Sequence, residues 1–106
     1  MPSTDRQNPK RANIPLKSDY TREFQKDWDR LLKAGKSNLD AAKEAMLQLI
    51  ANAGPMPAAY KDHALKGQLA AYRELHIRGD FLLMYRIEGQ TIVFVRLGTH
   101  ADLFRE

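Results

Sequence analysis

The sequence predicts an α+β domain in which an N-terminal pair of helices packs on one face of a small antiparallel β-sheet. Two observations support this: apolar residues recur every three or four positions between residues 19 and 53, and they alternate with polar residues after Tyr72. With 106 residues, 43% of them hydrophobic and 28% charged, the chain is long enough for one modest core. We therefore expect a single folded domain.

The composition also excludes several classes of protein. No apolar run approaches the length of a membrane span, and residues 1–17 lack the apolar middle segment of a secretory signal. The absence of cysteine excludes disulfides, thiolate metal sites and cysteine nucleophiles. The expectation is a cytoplasmic protein with no membrane partner.

Most of the positive charge lies at the N-terminus. Residues 1–18 contribute +3 of the net charge of +4, from four basic residues against Asp5. Such a segment can contact phosphates, although a short terminus rich in Pro, Asn and Arg is more often a solvated extension. We interpret residues 1–13 as a flexible basic tail and residues 14–106 as a single domain.

Two helices are predicted after this tail. Residues 13–17 favour a short first strand, which its proline confines to a sheet edge or to the strand's start. Five apolar residues of the segment 19–34 fall on one side of a helix, which Gly35 ends. Ser37 followed by Asp40 resembles a capping box, and a second apolar stripe follows it. The two helices are expected to form an antiparallel pair.

The second half predicts a meander of three antiparallel strands. Residues 58–67 show neither period, so we interpret them as a surface loop that carries His63. Gly79-Asp80 suits a two-residue hairpin turn with glycine first, and a second turn is expected at residues 88–90. The predicted strands cover residues 72–78, 81–87 and 91–97.

Alternation assigns the strand residues to two faces of the sheet. The side toward the helices is predicted to hold Leu75, Ile77, Val93, Val95 and Leu97. The opposite side is predicted to hold Glu74, His76, Ile92, Phe94 and Arg96. Because the helices cover one side only, the second face remains available for a ligand.

The three histidines of the chain, His63, His76 and His100, all lie in the second half. The predicted topology can bring His76 and His100 together with Asp80 and Arg96 at neighbouring strand ends or on the open face. Cleaving RNA without a metal needs a base for the 2′-hydroxyl, an acid for the 5′-oxygen and a cation for the phosphate. Histidine, aspartate and arginine supply these three functions.

Alternatives remain open for these residues. Three histidines with a carboxylate can bind zinc, although their spacing matches no compact ligand pair, and the Gly-x-Ser-x-Gly elbow of a serine hydrolase is absent. His63 and His76 also fit exposed surface positions, and Arg96 fits a cross-strand ion pair with an acid such as Glu74. One helical turn is expected after His100, in which Phe104 either packs as a plug or stacks on a base.

Four segments closely resemble the YafQ-like branch of the RelE/ParE toxin superfamily. They are residues 60–67 (YKDHALKG), 72–80 (YRELHIRGD), 83–86 (LMYR) and 96–104 (RLGTHADLF). The likeness extends back through the helix pair to residue 14 and implies a RelE-like fold. Two positions depart from the family's usual pattern, since Glu74 stands where aspartate is common and Phe81 where tryptophan is common.

The resemblance implies the toxin of a type II toxin–antitoxin pair. Such a toxin is an endoribonuclease, an mRNA interferase that cuts messenger RNA in the ribosomal A site without a metal or cofactor and leaves a 2′,3′-cyclic phosphate. The matching active-site positions are His63, His76, Asp80, Arg96, His100 and Phe104. A gyrase poison of the ParE type and a catalytically inactive regulatory relative are the alternatives, and gyrase poisons lack this set of histidines and acids.

Roles follow from the same resemblance. Asp80 with His76 or His63 is expected to share general-base and orienting work, and His100 is expected to act as the general acid. Arg96 would face the scissile phosphate and Phe104 a base, while Lys61 and Arg78 are the remaining candidates for RNA contacts.

The implied partners are a small antitoxin and the translation machinery. The antitoxin is expected to be a ribbon-helix-helix protein of the DinJ/RelB-like type, and operator DNA would be bound only through the toxin–antitoxin complex. The toxin itself would meet the A site of the 30S subunit, with its 16S rRNA, and the mRNA.

Overall fold

A computed structural model describes residues 14–35 and 37–104 of the protein, so the predicted tail at residues 1–13 lies outside the described residues. In chain order the elements are β1 (Lys17–Tyr20), α1 (Arg22–Ala34), α2 (Ser37–Ala51), β2 (His63–Ala64), β3 (Arg73–Arg78), β4 (Phe81–Glu88), β5 (Thr91–Thr99) and α3 (His100–Leu103). Short 3₁₀ turns at Ala58–Tyr60 and Gly67–Leu69 flank β2. The strands form one sheet in the order β1-β5-β4-β3-β2, with α1 and α2 packed on it, which confirms the predicted α+β class.

The N-terminal strand and the first helix differ from the prediction by a few residues. Residues 17–20 pair in parallel with residues 91–94 of β5, so β1 is an edge strand that lies later in the chain than expected. Helix α1 therefore begins at Arg22, where the Thr21 hydroxyl accepts a hydrogen bond from the Phe24 amide at 3.0 Å. It ends as predicted at Gly35, whose φ of 141° suits glycine.

The predicted meander is confirmed as β3, β4 and β5. Arg78 pairs with Phe81 and Glu88 with Thr91, so both hairpins have two-residue turns. Gly79 and Gly89 are the first residues of these turns, at φ values of 50° and 62°. None of the helices within the described residues is long and apolar enough to cross a membrane.

The predicted facing of β5 is partly wrong because the strand contains a bulge. Met84 pairs with Arg96 and Tyr85 with Phe94, so Val95 is an extra residue in β5. Ile92 and Phe94, expected on the open face, lie in the core before the bulge. After the bulge, Leu97 lies in the core. Met84 pairs with both Glu74 and Arg96, so these two residues share the open face.

His63 is not in an irregular loop, as the sequence suggested, but in the two-residue strand β2. His63 pairs with Glu74 and Ala64 with Arg73, which adds β2 to the free edge of β3. A pair of residues is too short to show the alternation by which strands are recognised. This pairing fixes His63 beside the open face of the sheet.

The core lies between the helices and the inner face of the sheet. Its largest fully buried side chains include Tyr85, Phe94, Leu39, Leu75, Leu83, Ile92 and Leu97. Leu75 and Ile77 face the helices as predicted, Ile77 being only partly buried. The helices thereby give the sheet a rigid back, and the open face carries the polar groups.

We predict that Leu83→Ala lowers the free energy of unfolding by about 2–5 kcal/mol, because the truncation leaves a cavity among the core residues of the central strand. The matched control is Leu47→Ala, since Leu47 is 65% exposed, and its effect should stay within about 0.5 kcal/mol. Urea unfolding of the two variants measures both values. Equal losses would contradict the assignment of the core.

Candidate active site

Three histidines and a phenylalanine form a row along the open side of the sheet. The ring centroids are 6.3 Å apart for His63 and His76, 6.1 Å for His76 and His100, and 5.9 Å for His100 and Phe104. Strands β2 and β3 carry the first two rings, and α3 positions the third. The sequence-based prediction that His76 and His100 come together is confirmed, and His63 joins them.

All three imidazoles are held by the same ring nitrogen. Nδ1 lies 2.7 Å from the Lys61 carbonyl in His63, 3.3 Å from the Gly79 carbonyl in His76 and 2.5 Å from the Asp80 carboxylate in His100. A carbonyl or carboxylate oxygen only accepts, so each Nδ1 carries a proton and donates it. The proton-accepting nitrogen of each neutral ring is therefore Nε2.

Glu74 lies between two of these rings and is almost completely buried. Its Oε1 is 3.4 Å from Nε2 of His63, and its Oε2 is 4.0 Å from Nε2 of His100. Only 5% of its side chain is exposed, and Oε2 has no hydrogen-bond partner within the described residues. A buried carboxylate is costly unless cations or donors face it, and the imidazoles of His63 and His100 face this one.

Asp80 and His100 form an exposed carboxylate–imidazole pair at the β3–β4 hairpin. Asp80 occupies the second position of the turn, and its Oδ1 also accepts a longer bond, 3.4 Å, from the His100 amide. The His100 side chain is 53% exposed. An acid that fixes the Nδ1 proton orients the ring and leaves Nε2 for proton transfer.

A hydrogen-bonded group behind His63 anchors its segment. The Tyr85 hydroxyl donates to Asp62 Oδ1 at 2.6 Å and accepts from Arg73 Nε at 3.2 Å, and Arg73 Nε lies 3.3 Å from the same carboxylate oxygen. Burial and then the hydrogen bond to Asp62 raise the pKa of the Tyr85 phenol well above its ordinary value. Asp62 directly precedes His63, so the group fixes the start of β2.

Arg96 has a partner that the sequence did not indicate. It was expected to pair with a cross-strand acid such as Glu74 or to face the scissile phosphate. Its guanidinium instead forms a bidentate ion pair with Asp27 of α1, with nitrogen–oxygen distances of 2.8 Å and 3.1 Å. These hydrogen bonds, against the opposing effect of burial, raise the pKa of Arg96.

Of the three predicted RNA-contacting residues, Phe104 belongs to the row, and Lys61 and Arg78 are exposed. Lys61 is exposed and has a left-handed backbone, φ 51°, which turns its carbonyl to His63. Arg78 is exposed at the end of β3, with Nη2 3.4 Å from the Ser37 carbonyl. Phe104 is partly buried next to the His100 ring, a position compatible with a plug and with a stacking surface.

The sequence of the chain matches a family of known toxins. The family model described as a bacterial toxin of type II toxin–antitoxin systems, YafQ, covers residues 16–105. This chain belongs to the YafQ toxin family. The Escherichia coli K12 protein named mRNA interferase toxin YafQ is 37% identical over 86 residues, which are 81% of this chain and 92% of that protein.

Solved structures of YafQ toxins have the same fold. The E. coli DinJ-YafQ complex matches with a TM-score of 0.77 and 37% identity, over 84% of this chain and 98% of that chain. A metal-bound toxin from Helicobacter pylori matches with a TM-score of 0.75 and 40% identity, over 84% and 99% of the two chains. A YoeB/ParE toxin from Agrobacterium tumefaciens, 19% identical with a TM-score of 0.69, shares the fold.

Sequence reasoning missed the acids that organise this YafQ-type site. Glu74 was placed on the open face and named as a possible cross-strand partner of Arg96, and its burial is visible only once β2 pairs with β3. The sequence offered one signal for Asp27, which is its position inside the apolar stripe of α1. In the structure this residue is only 5% exposed. An acid on a helix face that is otherwise apolar is a candidate for a buried, partnered position and should be considered together with the histidines.

We predict that Tyr85→Phe lowers the free energy of unfolding at pH 7 by about 1–2 kcal/mol through loss of the hydrogen bond to Asp62. A raised pKa means that the folded state favours the neutral phenol, so this stabilisation is present below pH 10 and is lost as the pH rises above it. The variant should therefore lose less stability than the native protein above about pH 10. Urea unfolding of the variant and of the native protein, at pH 7 and again above about pH 10, tests this.

The matched control for that measurement is Tyr20→Phe, because Tyr20 is 55% exposed. Its stability and its pH dependence should equal those of the native protein. If Tyr85→Phe shows the native pH dependence as well, the buried phenol does not have the role assigned to it.

Proposed function

We propose that this YafQ-family toxin is a ribosome-dependent endoribonuclease that cleaves mRNA in the A site by acid–base chemistry without a metal. The observation that carries the proposal is the row of three imidazoles, each with Nδ1 bound to an oxygen, so that the ring is oriented through that nitrogen. The E. coli relative named an mRNA interferase supports the same activity. The row spans about two ring spacings, a length suited to one phosphodiester and its neighbouring ribose.

The cleavage step uses two proton transfers. A base removes the proton of the 2′-hydroxyl, the oxygen attacks the adjacent phosphorus, and the bond to the 5′-oxygen breaks to give a 2′,3′-cyclic phosphate and a 5′-hydroxyl end. An acid protonates the departing oxygen. Two imidazoles in opposite protonation states supply both transfers at neutral pH.

His100 is the proposed general acid. Asp80 orients the ring through Nδ1, and the Glu74 carboxylate lies 4.0 Å from Nε2. In its imidazolium form this ring can donate the Nε2 proton to the leaving oxygen. Asp80 thereby acts as the orienting residue and not as the base.

His76 is the proposed general base, with His63 as its neighbour. Nδ1 of His76 lies 3.3 Å from the Gly79 carbonyl, which leaves Nε2 to accept the proton of the 2′-hydroxyl. His63 has Glu74 at 3.4 Å from its Nε2 and, when protonated, can stabilise the charge of the phosphate. Its position between Lys61 and the row extends the positive surface.

RNA contacts outside the reacting atoms are proposed for Lys61, Arg78 and Phe104. Lys61 and Arg78 are exposed cations and suit backbone phosphates. Phe104 stacks beside His100 and offers its remaining surface to a base. A small number of such contacts is what we expect of a toxin that relies on the ribosome, with its 30S A site and 16S rRNA, to position the message.

The proposed inhibitor is a ribbon-helix-helix antitoxin of the DinJ/RelB-like type. The structural match to the toxin in the DinJ-YafQ complex supports it. In this proposal the toxin reaches operator DNA only through the antitoxin and acts in the cytoplasm.

The test is to add the protein to a translating extract and map the 5′ ends of a defined message, with and without chelator. New ends with 5′-hydroxyl groups, formed only during translation and unaffected by chelator, are expected. Because an H. pylori relative is metal-bound, the chelator arm is informative. Intact message with stalled or cleaved DNA would favour a gyrase poison, and no effect on either would favour an inactive relative.

We predict that His100→Ala abolishes growth arrest on induction and slows cleavage by about 10²- to 10⁴-fold, since the general acid is lost. The thermal midpoint should remain nearly unchanged, because half of this side chain is exposed. Growth curves, the 5′-end assay and thermal unfolding measure the three quantities. A large fall in the midpoint would show that His100 is structural.

A further inference from the structure

We propose that Asp27 and Arg96 are positioning residues that hold the C-terminal turn, and with it His100, in place. The inference rests on the proposed cleavage activity. It concerns a buried ion pair between the first helix and the last strand, outside the row of histidines. We call Asp27, Arg96 and the Asp102 carbonyl to which Arg96 donates the Asp27–Arg96 clamp.

Asp27 uses both of its carboxylate oxygens. Oδ2 accepts from Arg96 Nε at 2.8 Å and from the Leu97 amide at 2.9 Å, and Oδ1 accepts from Arg96 Nη2 at 3.1 Å. Arg30 also lies within 3.4 Å of Oδ1. The group is 5% exposed, so its charge is matched inside the protein and not by water.

The clamp lies where β5 no longer pairs with β1, although it still pairs with β4 on its other side. Strand β1 pairs with β5 only as far as Phe94, and beyond that point α1 runs along the same edge. The Thr21 hydroxyl donates to the Val95 carbonyl at 2.7 Å, and Asp27 accepts from the Leu97 amide. The side chains of Thr21, which caps α1, and of Asp27 thus complete the hydrogen bonding of the β5 edge. These bonds connect the helix to the end of the strand.

The other arm of the clamp reaches α3. Arg96 Nη2 donates to the Asp102 carbonyl at 3.2 Å. A capping box joins Thr99 and Asp102 at the start of the same turn. A helix of four residues is not stable by itself, so these external bonds decide where it lies.

Gly98 shows how closely this turn is packed. A Cβ atom at Gly98 would lie 2.8 Å from the Asp102 carboxylate, too close for any other residue without displacement of the turn. Glycine, the clamp and the capping box therefore act on the same four residues. The first of them is His100, whose ring contacts Asp80 and Phe104.

This arrangement gives Arg96 a role different from the phosphate contact expected from the sequence. The Arg96 side chain is only 27% exposed, and reorienting it toward a phosphate would break the bidentate pair and leave the buried Asp27 with Arg30 alone, at 3.4 Å, as its counter-ion. We assign the effect of Arg96 on cleavage to its hold on the turn. Asp27, which has no access to the substrate, then shares that effect.

The test compares Asp27→Asn, Arg96→Gln and the double variant in the translating extract. Each single change should slow cleavage about tenfold to a hundredfold, the effect expected when a catalytic group is displaced by about 1 Å. The double variant should be no slower than the slower single variant, because both changes break one unit. Arg86→Gln is the matched control; it removes an arginine from the Arg86–Glu88 ion pair on β4 and should cleave at the native rate.

A second readout does not depend on activity. The ¹⁵N and ¹³C signals of the His100 ring should shift in Asp27→Asn and in Arg96→Gln. Those of His63, which lies on β2 and is bonded to the Lys61 carbonyl, should not shift. Arg96→Lys should shift the His100 signals as Arg96→Gln does, because an ammonium group cannot form the bidentate pair and also reach Asp102. If one variant does not fold, the others carry this measurement.

Two results overturn the inference. Native cleavage by Asp27→Asn with loss of cleavage in Arg96→Gln would make Arg96 a phosphate ligand. Unchanged His100 signals in every folded variant would show that the clamp does not position the turn. If the native protein cleaves no message, the proposed function fails, and the His100 signals still decide the positioning role.

Discussion

The buried carboxylate of Glu74 is the group around which the open face is organised. A carboxylate with 5% of its side chain exposed needs cations or hydrogen-bond donors, and within the described residues its possible ion-pair partners are the Nε2 atoms of His63 and His100. These two histidines come from opposite ends of the second half of the chain. Their approach to one acid requires β2 to add to β3 and α3 to fold back after β5.

The remaining polar groups divide into those that face the solvent and those that hold the framework. Nδ1 of each histidine is occupied, so rotation of the rings is restricted before any substrate binds. Tyr85 and Asp62 fix the start of β2, and Asp27 with Arg96 fixes the end of β5. Preorganisation at both ends of the row lets an exposed site keep a defined geometry.

The sequence predicted the fold class, the two helices, the meander and its glycine turns, because periodicity and turn chemistry are local. It did not predict the bulge at Val95, since this residue lies in a β-branched run with no local signal for an extra position. The error reversed the facing of Ile92 and Phe94. Strand β2 was missed for the related reason that two residues show no period.

The sequence predicted which residues lie together in the candidate site but not which side chains pair with each other. His63, His76, Asp80, His100 and Phe104 do lie together, and the resemblance to toxin sequences supplied that set. The partner of Arg96 was not predictable from its neighbours, because Asp27 lies 69 positions earlier in the chain. Long-range ion pairs between a helix and a strand edge leave little trace in a single sequence.

The most direct test of the account is the proton position on the three imidazoles. Long-range ¹H–¹⁵N correlation spectra of the ¹⁵N-histidine protein distinguish a proton on Nδ1 from one on Nε2. Every neutral histidine should carry its proton on Nδ1, since each Nδ1 faces an oxygen that can only accept. A neutral His76 or His100 with its proton on Nε2 would contradict the assignment of base and acid.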